Sequence, residues 1–484
     1  MPFSSNSGKQ FIASLNLKAD KVLDVGAGSG TYRELLNFGT HWTALEIWEP
    51  YVHQYKLAQK YDEVILADAR SFEFANKYDL CILGDVLEHM TEDEAKTVLS
   101  RARKACQTVI VSIPLGHYPQ GEYEGNPHEA HVVDDWTHER VIAAFGNPEK
   151  SHIDNEIGVY VYRKPKIAVY AISKNEEQFV ERFCASAKDA DIVLVADTGS
   201  TDNTAVKAAE CGAVVHDIFI SPWRFDMARD TALALIPRDI DVCISLDLDE
   251  VLEPGWREEI ERVWELGKTT RLRYMFDWGC NIRFKYEKIH ARVGYRWHHP
   301  VHEYPVPDGR ITEVYADTDF LLVSHHPDPT KSRGQYLVLL RMAVKEDPRC
   351  PRNAFYFARE LTFYRLWDEA IDRLNHYLAM PEATWQNERC YAMRLLADAY
   401  QAKGDYWTAM QWARRAAAEA PGTREPWVKL AELAYQQHDW LECYSSCMKA
   451  LSIRDKAAVY TMDPSVWTEK PHDYLSIAAH HLGR

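Results

Sequence analysis

Asp24-Val25-Gly26-Ala27-Gly28-Ser29-Gly30 decides how this chain is read. The stretch ends an apolar run, Val22–Val25, and leads into a helical pattern. Glycines at alternate positions let the backbone turn tightly and approach a ligand with no Cβ in the way. From Lys21 to about Lys164, further apolar runs alternate with helical patterns: Thr43–Ile47, Val64–Leu66, Leu80–Leu83 and Val109–Ile113. Strands alternating with helices predict a mostly parallel sheet. Gly158–Arg163 closes the segment as a strand-like run suited to a sheet edge.

A glycine turn of this kind is shared with dinucleotide-binding folds, so its neighbours must decide. Glu46 stands at the end of the next strand, where a carboxylate can grip ribose hydroxyls. Asp68 ends the third strand, near where an adenine would lie, and Asp85-Val86-Leu87-Glu88-His89 follows the fourth. In this order the features resemble the class I S-adenosylmethionine-dependent methyltransferases, over nearly all of residues 10–163. A dehydrogenase would lack the D-x-L-E-H stretch. The resemblance implies a Rossmann-like sheet with Gly26, Gly28 and Gly30 lining the amino-acid end of S-adenosylmethionine. It implies Glu46 on the ribose and Asp68 with Ala69 beside the adenine. Asp24 and Asp85 complete the cofactor-binding candidates.

The methyl acceptor is less legible. After Ile113-Pro114 comes a polar loop holding Gly116-His117-Tyr118, then Asn126-Pro127-His128-Glu129-Ala130-His131, then Asp134-Asp135-Trp136. His117, His128 and His131 are the candidate bases for taking a proton from a hydroxyl, with His128 and His131 preferred. Metal ligation and ordinary loop hydrogen bonding are the alternatives. Methyl transfer chiefly needs an in-line approach to the sulfonium, so a strong base is not required.

A second alternation starts after Lys164-Pro165-Lys166. Ile167–Ile172, Ile192–Ala196 and Val242–Leu246 read as strands, and Glu176–Lys188 as a helix. The first strand runs into Ser173-Lys174-Asn175-Glu176-Glu177, and the second into Asp197-Thr198-Gly199-Ser200-Thr201-Asp202-Asn203-Thr204. Further on lie Phe225-Asp226-Met227-Ala228-Arg229-Asp230 and Leu246-Asp247-Leu248-Asp249-Glu250. Alternation puts Asp247 and Asp249 on one side of the chain, where two like charges call for a cation. Oxygen ligands in small number suit Mg²⁺ or Mn²⁺ shared with substrate phosphates.

These four blocks resemble family 2 glycosyltransferases of the GT-A fold, in the branch whose catalytic domain precedes tetratricopeptide repeats. One departure is Asp230, where that branch usually has Asn. The resemblance implies a nucleotide-sugar donor held by Ser173, Asn175, Glu176, Asp197, Arg229 and Asp247, with Asp197 on the base. It implies Asp247 on ribose or metal, Asp249 on the metal, and metal plus Arg229 stabilising the departing diphosphate. Trp297-His298-His299-Pro300-Val301-His302-Glu303-Tyr304 supplies the candidate base, Glu303, ahead of Asp277. His302 and His325 are candidates to complete the metal shell, and inversion is the implied outcome.

From about Lys331 the pattern turns helical, and Tyr406 and Trp440 lie 34 positions apart, as do Ala397 and Ala431. Asp405 and Asp439 precede the two aromatics, and a looser copy runs through Ala358, Trp367 and Ala370. This period resembles tetratricopeptide repeats, whose helix pairs stack to bury their apolar faces. Trp407, Trp412, Trp427 and Trp440 read as core. The predicted fold class is therefore α/β multidomain: a methyltransferase sheet over 1–164, a GT-A domain over 165–332, and helical repeats over 333–484.

At 484 residues the chain exceeds one ordinary core. A net charge of -16 disfavours duplex nucleic acid as a partner. Ten cysteines without a CxxC pair, among them Cys81, Cys243 and Cys280 in apolar or aromatic stretches, suit buried thiols in a reducing compartment. Met1–Gln10 lacks an apolar signal core and no run is long enough to span a bilayer. The expectation is a cytoplasmic protein, with any membrane role peripheral. The expected function is transfer of a sugar to a glycan, lipid-linked or protein acceptor, with O-methylation of a sugar by the first domain. The repeats would select the acceptor, bind a partner or form a homo-oligomer. A peptide or modified nucleic-acid acceptor, or a scaffold with one degenerate domain, are the competing readings.

Overall fold

Lys21–Arg163 folds as seven strands joined mostly through helices. The computed structural model describes residues 6–74, 78–279, 282–328 and 334–484. The strands are β1 (Lys21–Val25), β2 (His41–Glu46), β3 (Glu63–Leu66), β4 (Tyr78–Gly84), β5 (Cys106–Pro114), β6 (Lys150–Ile153) and β7 (Ile157–Arg163). Their order across the sheet is β3-β2-β1-β4-β5-β7-β6. β1 pairs in parallel with both β2 and β4, so the strand order reverses at β1. Open α/β sheets bind ligands at the carboxyl ends of the strands beside such a reversal. The central strands are covered on both faces, which is why they read as unbroken apolar runs.

The sequence reading places Gly158–Arg163 at an edge. β7 lies instead between β5 and β6, antiparallel to both, and Val159–Tyr162 are all buried. The edge strand is β6, whose residues are exposed or half-buried. An apolar run without alternation marks a strand covered on both faces, and that argued for an inner position.

The chain divides into two compact units between Lys164 and Pro165. The second unit has β8 (Ile167–Ser173), β9 (Ile192–Asp197), β10 (Val214–Asp217), β11 (Val242–Ser245), β12 (Glu250–Leu252), β13 (Arg271–Gly279), β14 (Ile282–Ala291), β15 (Tyr295–His298), β16 (Tyr304–Pro307) and β17 (Tyr315–His325). Eight of these form a mixed sheet in the order β10-β9-β8-β11-β14-β13-β17-β12, while β15 and β16 pair separately. β8 to β11 are joined in parallel, and the later strands bring antiparallel pairs. Helices Glu177–Ala187 and Thr204–Glu210 follow β8 and β9.

Helices then run from Tyr336–Glu346 to Lys470–His481. Tyr406–Glu419 and Trp440–Ser452 start 34 residues apart, each capped by an aspartate, Asp405 or Asp439. Trp223 and Phe225 pack both against Leu340, Phe355 and Leu361 of the helices and against Tyr170 and Leu194 of the sheet, and Val301 joins the helical cluster. Trp412 and Trp427 pack into the helical core. Trp407, read as core, is 75% exposed, and Trp440 stacks on His481 with ring centroids 4.0 Å apart. Cys280 and the expected boundary at 332/333 lie outside the described residues. Every described cysteine is a free thiol, and most are buried. Among the described residues no helix is long and apolar enough to cross a membrane.

Candidate functional site

The first site grows from the end of β1. Gly26, Gly28 and Gly30 have φ of 64°, 49° and 81°, a region that L side chains rarely adopt. The turn is held by its own neighbours. Gly26 N–H donates to the Leu45 carbonyl, and Gly28 N–H donates to Glu46 Oε2 at 2.9 Å. Trp48 N–H donates to Glu46 Oε1 at 2.9 Å. Burial raises the Glu46 carboxyl above its usual range, against these backbone bonds, which favour the charged form. Glu46 thus ties the ends of β1 and β2 together at the switch point, with further lone pairs available on both oxygens.

Asp24 is buried beneath the turn and accepts a 2.6 Å hydrogen bond from the Tyr61 hydroxyl. Burial pushes its carboxyl up to about 7, with the Tyr61 bond opposing and the nearby Glu46 adding. Asp85 lies past β4 at φ 55° and accepts from Ser112 Oγ at 3.0 Å. A Cβ on Gly26 would sit 2.7 Å from Val86 Cγ2, so the two loops leave the sheet in contact. Asp68 is held by its own neighbour. Its carboxylate is gripped by Arg70 Nε and a terminal nitrogen at 2.7–3.1 Å, and that bond lowers its proton affinity. Ala69 beside it is buried.

The polar loop returns to the end of β4. Val132 and Val133 N–H groups both donate to the Glu88 carbonyl. His131 Nδ1 lies 2.6 Å from the Tyr118 carbonyl, and His128 rests edge-on against Trp48. His117 is exposed near Asp134. Glu88 and His89, not singled out as candidates from the sequence, lie beside His131. Their positions inside the D-x-L-E-H stretch were the available signal.

In the second unit, β8 and β9 pair in register Ser173↔Asp197, so their loops emerge side by side. The motif residues knit these loops together. Asp197 accepts from Ser173 Oγ, Ser200 Oγ, and the Gly199 and Ser200 N–H groups. Asn175, at φ 54°, accepts from Thr201 N–H at 2.7 Å. Glu176 N–H donates to Thr204 Oγ1, and Glu177 takes the Asn203 N–H. The sequence reading puts Asp197 on the nucleotide base. In the structure both of its oxygens accept hydrogen bonds from the turn that follows β9.

Arg229 is 3% exposed, with its guanidinium over the Trp297 ring at 4.9 Å. It donates from Nε to Glu303, from one terminal nitrogen to Ser245 Oγ and from the other to Asp247 Oδ1. Lys288 Nζ, also buried, lies 3.2 Å from Glu250 and 3.4 Å from Asp247 Oδ2. Burial opposes its charge, but the two carboxylates raise the ammonium well above its usual range. Asp247 therefore has a cationic side chain of the protein on each of its oxygens. Arg229, expected on phosphate, is engaged between two carboxylates, and Glu303 is its ion-pair partner. Burial pushes Glu250 up to about 7, with Lys288 opposing. Lys288 and Ser245 went unrecognised in the sequence, and Glu250 stood in a motif block without an assigned role; Lys288 reaches Asp247 through the antiparallel pairing of β14 with β11.

Asp249 lies opposite a different partner. β12 pairs with β17 in register Glu250↔His325, and His325 Nε2 comes within 3.5 Å of Asp249 Oδ2. Despite burial, the Asp249 carboxylate raises the His325 imidazole. Carboxylate and imidazole converge here as a donor pair of the kind that divalent ions take. His302 stacks on Tyr356 at 4.0 Å, among the helices, and its carbonyl accepts from Arg352. Asp277 pairs with Arg283 on the exposed end of β13.

Comparison with known proteins bears mainly on the N-terminal unit. Residues 22–108 match the methyltransferase domain family, and the N-terminal unit carries a methyltransferase domain. A protein described as an uncharacterized glycosyltransferase, from Rickettsia bellii strain RML369-C, is 34% identical over 100 residues. That match covers 20% of this chain, and the chain spans about a third of that relative's length, 33%. Among solved structures, the N-terminal domain of EvdMO1 with SAH bound is 17% identical, covering 33% of this chain and 82% of that one, at a TM-score of 0.26. The N-methyltransferase NodS of Bradyrhizobium japonicum WM9, in complex with S-adenosyl-L-homocysteine, is 14% identical, covering 34% and 88%, at 0.27.

Proposed function

We propose that the protein is a bifunctional transferase. Its N-terminal unit transfers a methyl group from S-adenosylmethionine to a hydroxyl of a sugar or related acceptor. Its second unit transfers a sugar from a nucleotide-sugar donor to a glycan, lipid-linked or protein acceptor. The observation that carries the first activity is the left-handed glycine turn at the end of β1, braced by Glu46 at the point where strand order reverses. Glycines leave the backbone open to a ligand, and Glu46 keeps acceptor capacity for ribose hydroxyls. The sulfonium is already a good leaving group, so the unit's task is to hold acceptor oxygen and methyl carbon in line.

The second activity is supported by the four ordered motifs and by their convergence at the carboxyl ends of β8, β9 and β11. We read this unit as a GT-A domain with tetratricopeptide-like repeats. Asp249 and His325 would hold a Mn²⁺ or Mg²⁺ ion, which neutralises charge on the departing nucleoside diphosphate. Glu303, held by Arg229, is the base proposed for the acceptor hydroxyl, and inversion follows. The repeats are the proposed surface for acceptor choice or self-association, in a cytoplasmic protein.

Incubation with labelled S-adenosylmethionine and a panel of sugar nucleotides tests the reading. Label transfer and nucleoside diphosphate release are expected from the wild type. Asp249→Ala should lose sugar transfer by at least about a hundredfold while methyl transfer persists. Failure of the wild type to bind either cofactor refutes the proposal.

A further inference from the structure

Glu88 is 1% exposed, and its Oε2 has no hydrogen-bond partner among the described residues. A buried carboxylate oxygen without a donor is costly, and such a group calls for a cation. Two imidazoles stand beside it. One ligand atom each from Glu88, His89 and His131 lies within 4.8 Å of the other two. Glu88 Oε1 and His89 Nε2 are 4.0 Å apart, and the two imidazole centroids 5.1 Å apart.

Both rings are also held by backbone carbonyls. His89 Nδ1 sits 3.2 Å from the Ala130 carbonyl, and His131 Nδ1 sits 2.6 Å from the Tyr118 carbonyl. A carbonyl can only accept, so each Nδ1 is placed to donate, which makes Nε2 the candidate ligand atom. A backbone carbonyl fixing one ring nitrogen is the usual support of a metal-bound histidine. The Val132 and Val133 N–H bonds to the Glu88 carbonyl hold the loop that carries His131 in place.

We infer that Glu88, His89 and His131 form a binding site for a divalent first-row transition metal of the Zn²⁺ or Co²⁺ type. Two imidazoles and one carboxylate favour such an ion over Mg²⁺ or Ca²⁺. At this spacing a point within about 2.8 Å of all three atoms exists, so contraction of about 0.7 Å each reaches bonding distance. Three protein ligands leave coordination positions open, as in catalytic rather than structural sites. β1 and β4 are neighbours in register Val25↔Leu83, so this cluster leaves the sheet beside the glycine turn. An open position there suits an oxygen of the methyl acceptor; only this role rests on the methyltransferase reading.

The test uses the full chain carrying Asp249→Ala, which removes the ligand proposed for the second unit. After chelator treatment and dialysis, the protein is titrated with Co²⁺ in excess Mg²⁺, followed by visible absorption, and then with Zn²⁺ by calorimetry. One Co²⁺ per chain, displaced by Zn²⁺, is expected. Adding Glu88→Gln or His131→Ala should weaken uptake about tenfold or more. S-adenosylmethionine binding is measured in parallel, so loss of the cofactor reading and loss of the metal site appear separately. If Glu88→Gln does not fold, His131→Ala on the half-buried loop decides alone. No Co²⁺ or Zn²⁺ uptake, or undiminished uptake by His131→Ala, overturns the inference.

Discussion

Arg229 shows how much one side chain can be asked to hold. Its guanidinium bridges Ser245 and Asp247, on one segment, to Glu303 on another. Removing one partner of a buried pair leaves the other charge uncompensated, at a cost of about 3 kcal/mol. Arg229→Gln should therefore lower the unfolding free energy of the second unit by about that amount in denaturant titrations and abolish sugar transfer. Unchanged stability would mean that the fork is not holding Glu303. Asp24 offers a second check, through pH. Its carboxyl stands near 7 in the fold, raised by burial, against about 4 in an unfolded chain. Between those values the folded state keeps a proton that the unfolded state has lost, so stability falls as pH rises from about 4 to about 7. Asp24→Asn cannot ionise. It should raise the melting temperature relative to wild type at pH 8 and leave little difference at pH 4, measured by thermal scans. Neither arrangement could be read in advance. The residue types were visible, but Asp24's partner Tyr61 and Arg229's three acceptors are set by packing.

At the scale of elements, the sequence carried most of the information. The runs around Val22–Val25 and Leu80–Leu83 became strands because continuous β-compatible apolar residues fit a sheet covered on both sides. The 34-residue offset in the helical segment was legible because it repeats a cap as well as an apolar pattern. Asp405 accepts from Thr408 N–H and Asp439 from Glu442 N–H, each satisfying one orphan donor of its helix. Asp439→Ala should cost about 1 kcal/mol, and Asp439→Asn only a few tenths, in equilibrium unfolding. Equal effects would show that charge rather than capping is at work. Register was not legible. The pairing of β14 with β11 brings Lys288 to Asp247, 41 positions away, and the pairing of β17 with β12 brings His325 to Asp249. Alternation says which residues share a face of a strand, but not which strand lies alongside it.

The whole molecule is organised as two cores. Clusters around Leu23 and Val22 contain only residues before Lys164, and those around Ile167 and Phe355 only residues after Pro165. The helical segment belongs with the second core, since Val301 and Trp223 pack among its helices. A core that is closed on itself unfolds cooperatively on its own, so calorimetry should resolve two transitions. Ligand linkage then assigns them. A ligand that binds only the folded form stabilises it by RT ln(1 + [L]/Kd), about 2.7 kcal/mol at a hundredfold excess over Kd. S-Adenosylhomocysteine at that excess should raise one transition alone, and a nucleoside diphosphate with Mn²⁺ should raise the other alone. Asp249→Ala should abolish the second shift and leave the first intact. A single transition moved by both ligands would contradict the division at Lys164–Pro165 as an energetic boundary. Two transitions with neither ligand shifting its own would instead leave the two cores standing and remove the cofactor assignments.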